Sequence, residues 1–215
     1  MRTIAVDPVA PDPDGIAAAA RALAEGELVA FPTETFYGLG ADPWNPDAID
    51  ALYRAKGRPE HMPILLLLAD EDQACLASGT TPEAFTVLAR RFWPGPLTLV
   101  VKARATLPAG VTASGGTIGM RVPSAAIPRA LARALGRPIT GTSANRTGTP
   151  PARLAREVAG ALGEAAGALG LLVDGGPAPG GQPSTVVDLT ADAPRLIRSG
   201  AVAFEVVQAA LARGV

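Results

Sequence analysis

Ile64-Leu65-Leu66-Leu67-Leu68 is an unbroken aliphatic run. A strand that is apolar on both pleat faces has to be covered on both, so this run predicts a central strand inside a layered α/β structure. It is far too short to cross a bilayer. The remaining sequence alternates short β-rich runs with alanine-rich helical stretches, punctuated by turn signals. Asp14 is expected to cap a helix reaching about Glu25, followed by a buried strand over 28–31. Asn45-Pro46 opens a second helix with Ile49, Leu52 and Tyr53 as its apolar stripe, ending near Lys56 because Gly57 suits the cap and Pro59 keeps Arg58 extended. Further strands are expected over 97–102, 117–122, 139–142, 171–173, 184–189 and 195–197, and further helices over 82–92, 125–135, 151–162 and 204–212. No repeat, long linker or composition break divides the chain. The expectation is therefore a single domain over 1–215, α+β of the three-layer α/β type. Its sheet should be mixed, since some strands follow one another with no helix between them.

Of the 215 residues 48% are hydrophobic, enough for a sizeable core. The 24 glycines and 21 prolines are many for a globular chain but too few for low-complexity disorder. Nineteen basic residues face twenty acidic ones, so no global charge draws the protein to nucleic acid or membrane. With 5 Phe, 2 Trp and 2 Tyr a broad base-stacking platform is disfavoured. Cys75, the lone cysteine, excludes an internal disulfide and a cysteine zinc cage; between Ala74 and Leu76 it reads as a packed core thiol. The first fifteen residues hold no apolar stretch of signal-peptide length, and the chain is expected to be soluble and cytoplasmic.

Polar residues gather at strand ends. Phe31-Pro32-Thr33-Glu34-Thr35-Phe36-Tyr37-Gly38-Leu39-Gly40 offers hydroxyls and one carboxylate at a strand exit, which suits either a small polar ligand or a turn bonding its own backbone. Only Lys56 and Lys102 are Lys among the 19 cations. Lys56 and Arg58 flank Gly57 at a helix end, where a point charge and a planar fork together suit a polyphosphate. Thr140 to Gly148 is a second polar strand exit. Asp174-Gly175-Gly176 and the segment 180–185 form glycine-rich loops whose N–H groups can approach phosphate oxygens. Arg121 and Arg198 each end a strand. Neither a Walker A pattern nor a dinucleotide fingerprint is present, so a bound nucleotide needs an unconventional cradle. The single His61 can build neither a metal site nor a Ser-His triad, and Phe92-Trp93-Pro94-Gly95-Pro96 reads as a core-packed turn.

Eight segments in this order, PTETFYGLG, KGRP, FWPGPLTLV, GMRVP, TSANRTG, DGG, PSTVVDL and RLIRSG, resemble the YrdC family of threonylcarbamoyl-AMP synthases, over about Phe31 to Gly200. The resemblance implies a twisted mixed sheet flanked by helices with a deep, positively lined ligand groove. It implies a nucleotidyltransferase that makes L-threonylcarbamoyladenylate and pyrophosphate from L-threonine, bicarbonate or CO₂, and ATP. The product would pass to downstream transferase proteins that modify a tRNA adenosine beside the anticodon, with at most weak contact between this chain and tRNA. Mg²⁺ would accompany ATP, with no protein metal site. By similarity Lys56 and Arg58 contact the phosphates and carry the catalytic role. Ser143, Asn145 and Arg198 hold the AMP part, while Thr35, Arg121 and Ser184 form the threonine pocket. Longer members carry an extra C-terminal domain, which a chain of this length is not expected to hold. Two other readings are a non-catalytic RNA-binding protein of ribosome maturation and a YrdC-like paralogue handling another carbamoyl-adenylate. Charge balance and few aromatics weigh against the first.

Overall fold

The computed structural model describes residues 1–57, 64–112 and 115–212. In chain order the elements are β1 (Arg2–Ala5), α1 (Pro13–Ala24), β2 (Leu28–Pro32), β3 (Tyr37–Gly40), α2 (Pro46–Lys56), β4 (Leu65–Leu67), α3 (Ala74–Ala77) and α4 (Glu83–Phe92). There follow β5 (Leu97–Lys102), α5 (Ala109–Thr112), β6 (Thr117–Arg121), α6 (Ala126–Leu135), β7 (Ile139–Thr140), β8 (Thr142–Ser143) and α7 (Ala155–Leu162). The last are β9 (Leu169–Asp174), β10 (Thr185–Asp188), β11 (Arg195–Arg198) and α8 (Phe204–Ala212).

The strands divide between two mixed sheets, where the sequence pattern suggested one. The five-stranded sheet runs β1-β9-β2-β3-β8 and the six-stranded sheet β11-β10-β5-β6-β4-β7. The aliphatic run behaves as its composition requires. Leu66 and Leu68 join the larger core, whereas Leu67 faces a second core built from α1, α6 and one face of the five-stranded sheet. The larger core takes residues from both sheets, among them Leu28, Leu39, Leu99 and Met120. Alternate side chains of one strand thus serve two apolar layers.

The second helix forms as the local signals dictate. Asn45 accepts from the amide of Ala48, Pro46 occupies the first turn, and Gly57 closes the helix in the left-handed conformation at φ 58°. In α1 the cap falls on Asp12, which accepts from Gly15, while Asp14 lies inside the first turn. A capping carboxylate must precede the helical residues, and Pro13 fixes where those begin.

Two expected features change on folding. The segment 139–142 does not form one strand: β7 pairs with β4 in the larger sheet, and β8 pairs with β3 in the smaller. Gly141 makes the crossing, where a Cβ would stand 2.5 Å from Cγ of buried Leu67. Cys75 is exposed rather than packed. The helix α3 is one short surface turn whose inward positions are Ala74 and Ala77, so the thiol faces out and meets the carbonyl of Asp72 at 3.1 Å. The turn at 92–96 does pack on the core: Trp93 stands edge-on to Phe85 and donates its indole N–H to Leu97 O at 2.7 Å. His61, Arg58 and Pro59 lie outside the described residues.

Candidate functional site

Topology brings the polar strand ends together. β2 runs parallel to β9, and β8, antiparallel to β3, points the same way as β2. Thr33 to Phe36, Asn145 and Asp174 to Gly176 therefore leave the same end of the five-stranded sheet. In the other sheet β6 ends at Arg121, β11 ends at Arg198, and β10 begins beside Leu97 at the start of β5. Arg121, Thr98, Ser184 and Arg198 thus share one end of the six-stranded sheet. Crevices outside strand ends are where α/β folds bind ligands.

The turn between β2 and β3 is internally braced. Thr33 donates its hydroxyl to Phe36 O at 2.7 Å and lies 3.1 Å from the hydroxyl of Thr35. The carbonyl of Thr35 accepts from the amide of Gly180 at 2.6 Å, tying this turn to the glycine-rich loop before β10. The turn bonds itself, as one sequence reading expected, and leaves Glu34 and Thr35 partly exposed. Tyr37, fully buried, donates to Gly176 O at 2.8 Å and sits 3.3 Å from Asp174 Oδ1. Burial, reinforced by the Asp174 charge, pushes its phenol up to about 12.

Lys56, Ser143 and Asn145 form one cluster. Lys56 is only 5% exposed. Its Nζ donates to Ser143 O and Asn145 O at 2.6 Å each, with Asn145 Oδ1 at 3.1 Å and Ser143 Oγ at 3.3 Å. The Asn145 amide nitrogen donates in turn to the carbonyls of Arg146 and Thr149. The scarce lysine thus serves as a buried clamp on the Ser-Ala-Asn segment, and its charge sits directly behind it. Since Ser143 pairs with Gly38, this cluster adjoins the turn that carries Glu34 and Thr35.

Arg121 and Arg198 occupy the facing wall. Arg121 is 6% exposed, and its Nη1 donates to Glu34 Oε1 in an ion pair joining the two sheets. Its Nε is buried with no hydrogen-bond partner among the described residues. Arg198 donates from Nη2 to Ser184 O at 2.9 Å and Ser184 Oγ at 3.1 Å, and that hydroxyl meets Thr98 Oγ1 at 2.9 Å. Part of Arg198 stays open to solvent. Burial of its guanidinium lowers its pKa from the ordinary arginine value, and the neighbouring charge of Arg121 lowers it further. Two cations that repel one another, with one carboxylate between the sheets, make a site suited to an anion.

Glu34 and Thr98 were not singled out from sequence, although Glu34 is the sole carboxylate in its strand exit. Among the described residues no group of three or more His, Cys, Asp or Glu could hold a metal ion, and no helix is long and apolar enough to cross a membrane. A cavity of about 290 Å³ lined by Pro32, Thr33, Glu34, Ser124, Ala125 and Gly175, among others, opens beside the turn. A larger groove of about 690 Å³ between α4 and α8 is lined by none of the candidate residues.

Fold and site together define an α/β protein that gathers polar and cationic side chains at the strand ends of two sheets joined by the Arg121–Glu34 ion pair. The profile of the Sua5/YciO/YrdC family, described as "Telomere recombination", matches residues 21–200, and the chain belongs to that family. The threonylcarbamoyl-AMP synthase of Bacillus subtilis (strain 168) is 43% identical over 198 residues, covering 91% of this chain and 56% of the relative. The crystal structure of Pyrococcus abyssi Sua5 complexed with L-threonine superimposes with a TM-score of 0.90 at 36% identity, covering 98% of this chain and 61% of that one. E. coli YciO gives a TM-score of 0.83 at 27% identity, covering 95% and 98%. The chain spans just over half the length of the Bacillus and Pyrococcus curated relatives it matches.

Proposed function

We propose that this chain is a threonylcarbamoyl-AMP synthase. The amine of L-threonine combines with bicarbonate, losing water, to give a carbamate. A carbamate oxygen then attacks the α-phosphorus of ATP, and the bond from that phosphorus to the bridging oxygen of pyrophosphate breaks. Pyrophosphate is a weakly basic leaving group, so alignment and charge compensation matter more than proton transfer. The observation that carries this reading is the hydrogen-bonded chain Arg198–Ser184–Thr98 standing beside Arg121. It joins a cation proposed for the adenylate to a hydroxyl proposed for the amino acid, so the two reactants would meet there.

In this reading Arg121 receives the threonine carboxylate, and Thr35 and Ser184 line the same pocket. Ser143 and Asn145, held by Lys56, bind the AMP portion together with Arg198. Lys56 adds positive charge from behind the segment, and the phosphate contact assigned to Arg58 rests on the KGRP motif alone. Magnesium enters with the nucleotide as Mg–ATP. The relatives' names and the threonine complex of the Pyrococcus protein support the choice of substrate. The product would be passed to transferase proteins acting on tRNA, in the cytoplasm.

Pyrophosphate release from ATP tests the reading. Release that requires both threonine and bicarbonate is expected. Tight RNA binding without ATP affinity would replace it with the RNA-binding alternative, and turnover with carbamoyl phosphate in place of threonine and bicarbonate would replace it with the other carbamoyl-adenylate reaction.

A further inference from the structure

Glu34 is held at two points. Oε1 accepts from Arg121 Nη1, and Oε2 receives the amide of Ala125 at 3.4 Å. Ala125 is the N-cap of α6 and provides no side-chain cap of its own. A carboxylate placed between a guanidinium and a helix N-terminus is favoured by both.

This attachment decides which part of Arg121 remains available. A guanidinium binds a carboxylate bidentately through two parallel N–H groups on one edge. Glu34 takes Nη1, which lies away from the edge formed by Nε and Nη2. Nε is buried and has no partner among the described residues. A buried N–H left unpaired is costly, and its persistence beside Glu34, which lines a cavity of about 290 Å³, points to an acceptor brought by a ligand. Arg121 and Arg198 repel one another, and the ion pair with Glu34 anchors Arg121 against that repulsion.

We propose that Glu34 is a positioning residue for amino-acid recognition, holding Arg121 by one nitrogen so that its Nε edge meets the α-carboxylate of the substrate. The proposal rests on the functional reading given above.

The test uses the full chain with Glu34→Gln, Glu34→Ala and Glu34→Asp, measuring KM for threonine, KM for ATP, kcat, and threonine binding alone by calorimetry. Glu34→Gln keeps the shape and one acceptor oxygen, and its circular dichroism and melting curve establish that it folds. Glu34→Gln and Glu34→Ala are expected to raise KM for threonine by at least about tenfold, the loss of one charge-assisted contact. KM for ATP and kcat should stay within about threefold. Glu34→Asp, which keeps the charge on a shorter arm, should recover part of the loss. An unchanged KM for threonine in folded Glu34→Gln, or equal rises for threonine and ATP, overturns the proposal. If the parent protein binds threonine without releasing pyrophosphate, the synthase reading fails while calorimetry still decides the role of Glu34. If the parent binds no threonine, both fall.

Discussion

The ammonium of Lys56 lies 2.6 Å from the carbonyl oxygens of both Ser143 and Asn145, residues 87 and 89 positions further along the chain. A lysine ammonium turned onto two backbone carbonyls and the side-chain oxygens of the same two residues holds that loop in place. In the proposed site, where the sequence reading assigns Lys56 and Arg58 to the polyphosphate, this geometry would have Lys56 shape the nucleotide side from behind.

Lys56→Met keeps the length of the stem and removes the charge. It should strand buried acceptors at a cost of about 1–3 kcal/mol for each one that finds no substitute. Urea denaturation should show a lower midpoint, and pyrophosphate release should fall with it. Parental stability together with lost activity would return Lys56 to direct phosphate contact.

Arg121→Ala should raise KM for threonine more than KM for ATP, because the arginine faces the amino-acid pocket in the proposed site. Arg121→Lys should recover little of it, since a point charge cannot replace a planar fork. Steady-state kinetics with each substrate varied in turn gives the answer. A selective effect on ATP would reassign the residue.

Gly200 follows the strand that ends in Arg198, and a Cβ there would stand 2.5 Å from the backbone carbon of Ser184 and the amide nitrogen of Thr185. Backbone atoms cannot swing aside as a side-chain tip can. Gly200→Ala should cost about 1–3 kcal/mol, as overpacking does, and displace Ser184. A lower melting temperature with a raised KM for threonine is expected. A variant matching the parent in both would remove this close approach from the account.

Tyr37 gives the protein an alkaline signature. The folded phenol titrates at about 12 against an ordinary 10.0. Between those values the native chain keeps a proton that the unfolded chain has lost, so stability declines as pH rises through this window and is intact below it. Melting temperatures measured from pH 8 to pH 12, roughly spanning the shift, should fall less steeply in Tyr37→Phe than in the parent. Parallel slopes would contradict the shift.

Legibility in the sequence followed the range of the forces involved. The helix α2 could be read because Asn45, Pro46 and Gly57 act within one turn of their own backbone. The eight motifs marked the family and most of the residues at the strand ends. Hidden were features that depend on distant partners. β3 was obscured by Gly38 and Gly40, which are small because the ring of Phe31 on the adjacent strand lies over them. The split of 139–143 between sheets depends on Leu67, whose side chain occupies the space beside Gly141. Glu34 and Arg121 are 87 residues apart, so no local pattern links them. Cys75 was misjudged because apolar flanks report composition and not the direction in which a single turn faces.

The passage of 139–143 from one sheet to the other has a mechanical corollary. Ser143, Asn145 and Thr35 ride on the smaller sheet, whereas Arg121, Ser184 and Arg198 ride on the larger. An occupant gripped at both ends would act as a strut between two plates that the chain joins at Gly141. The complex should then resist amide exchange along β7 and β8 more strongly than either reactant achieves alone.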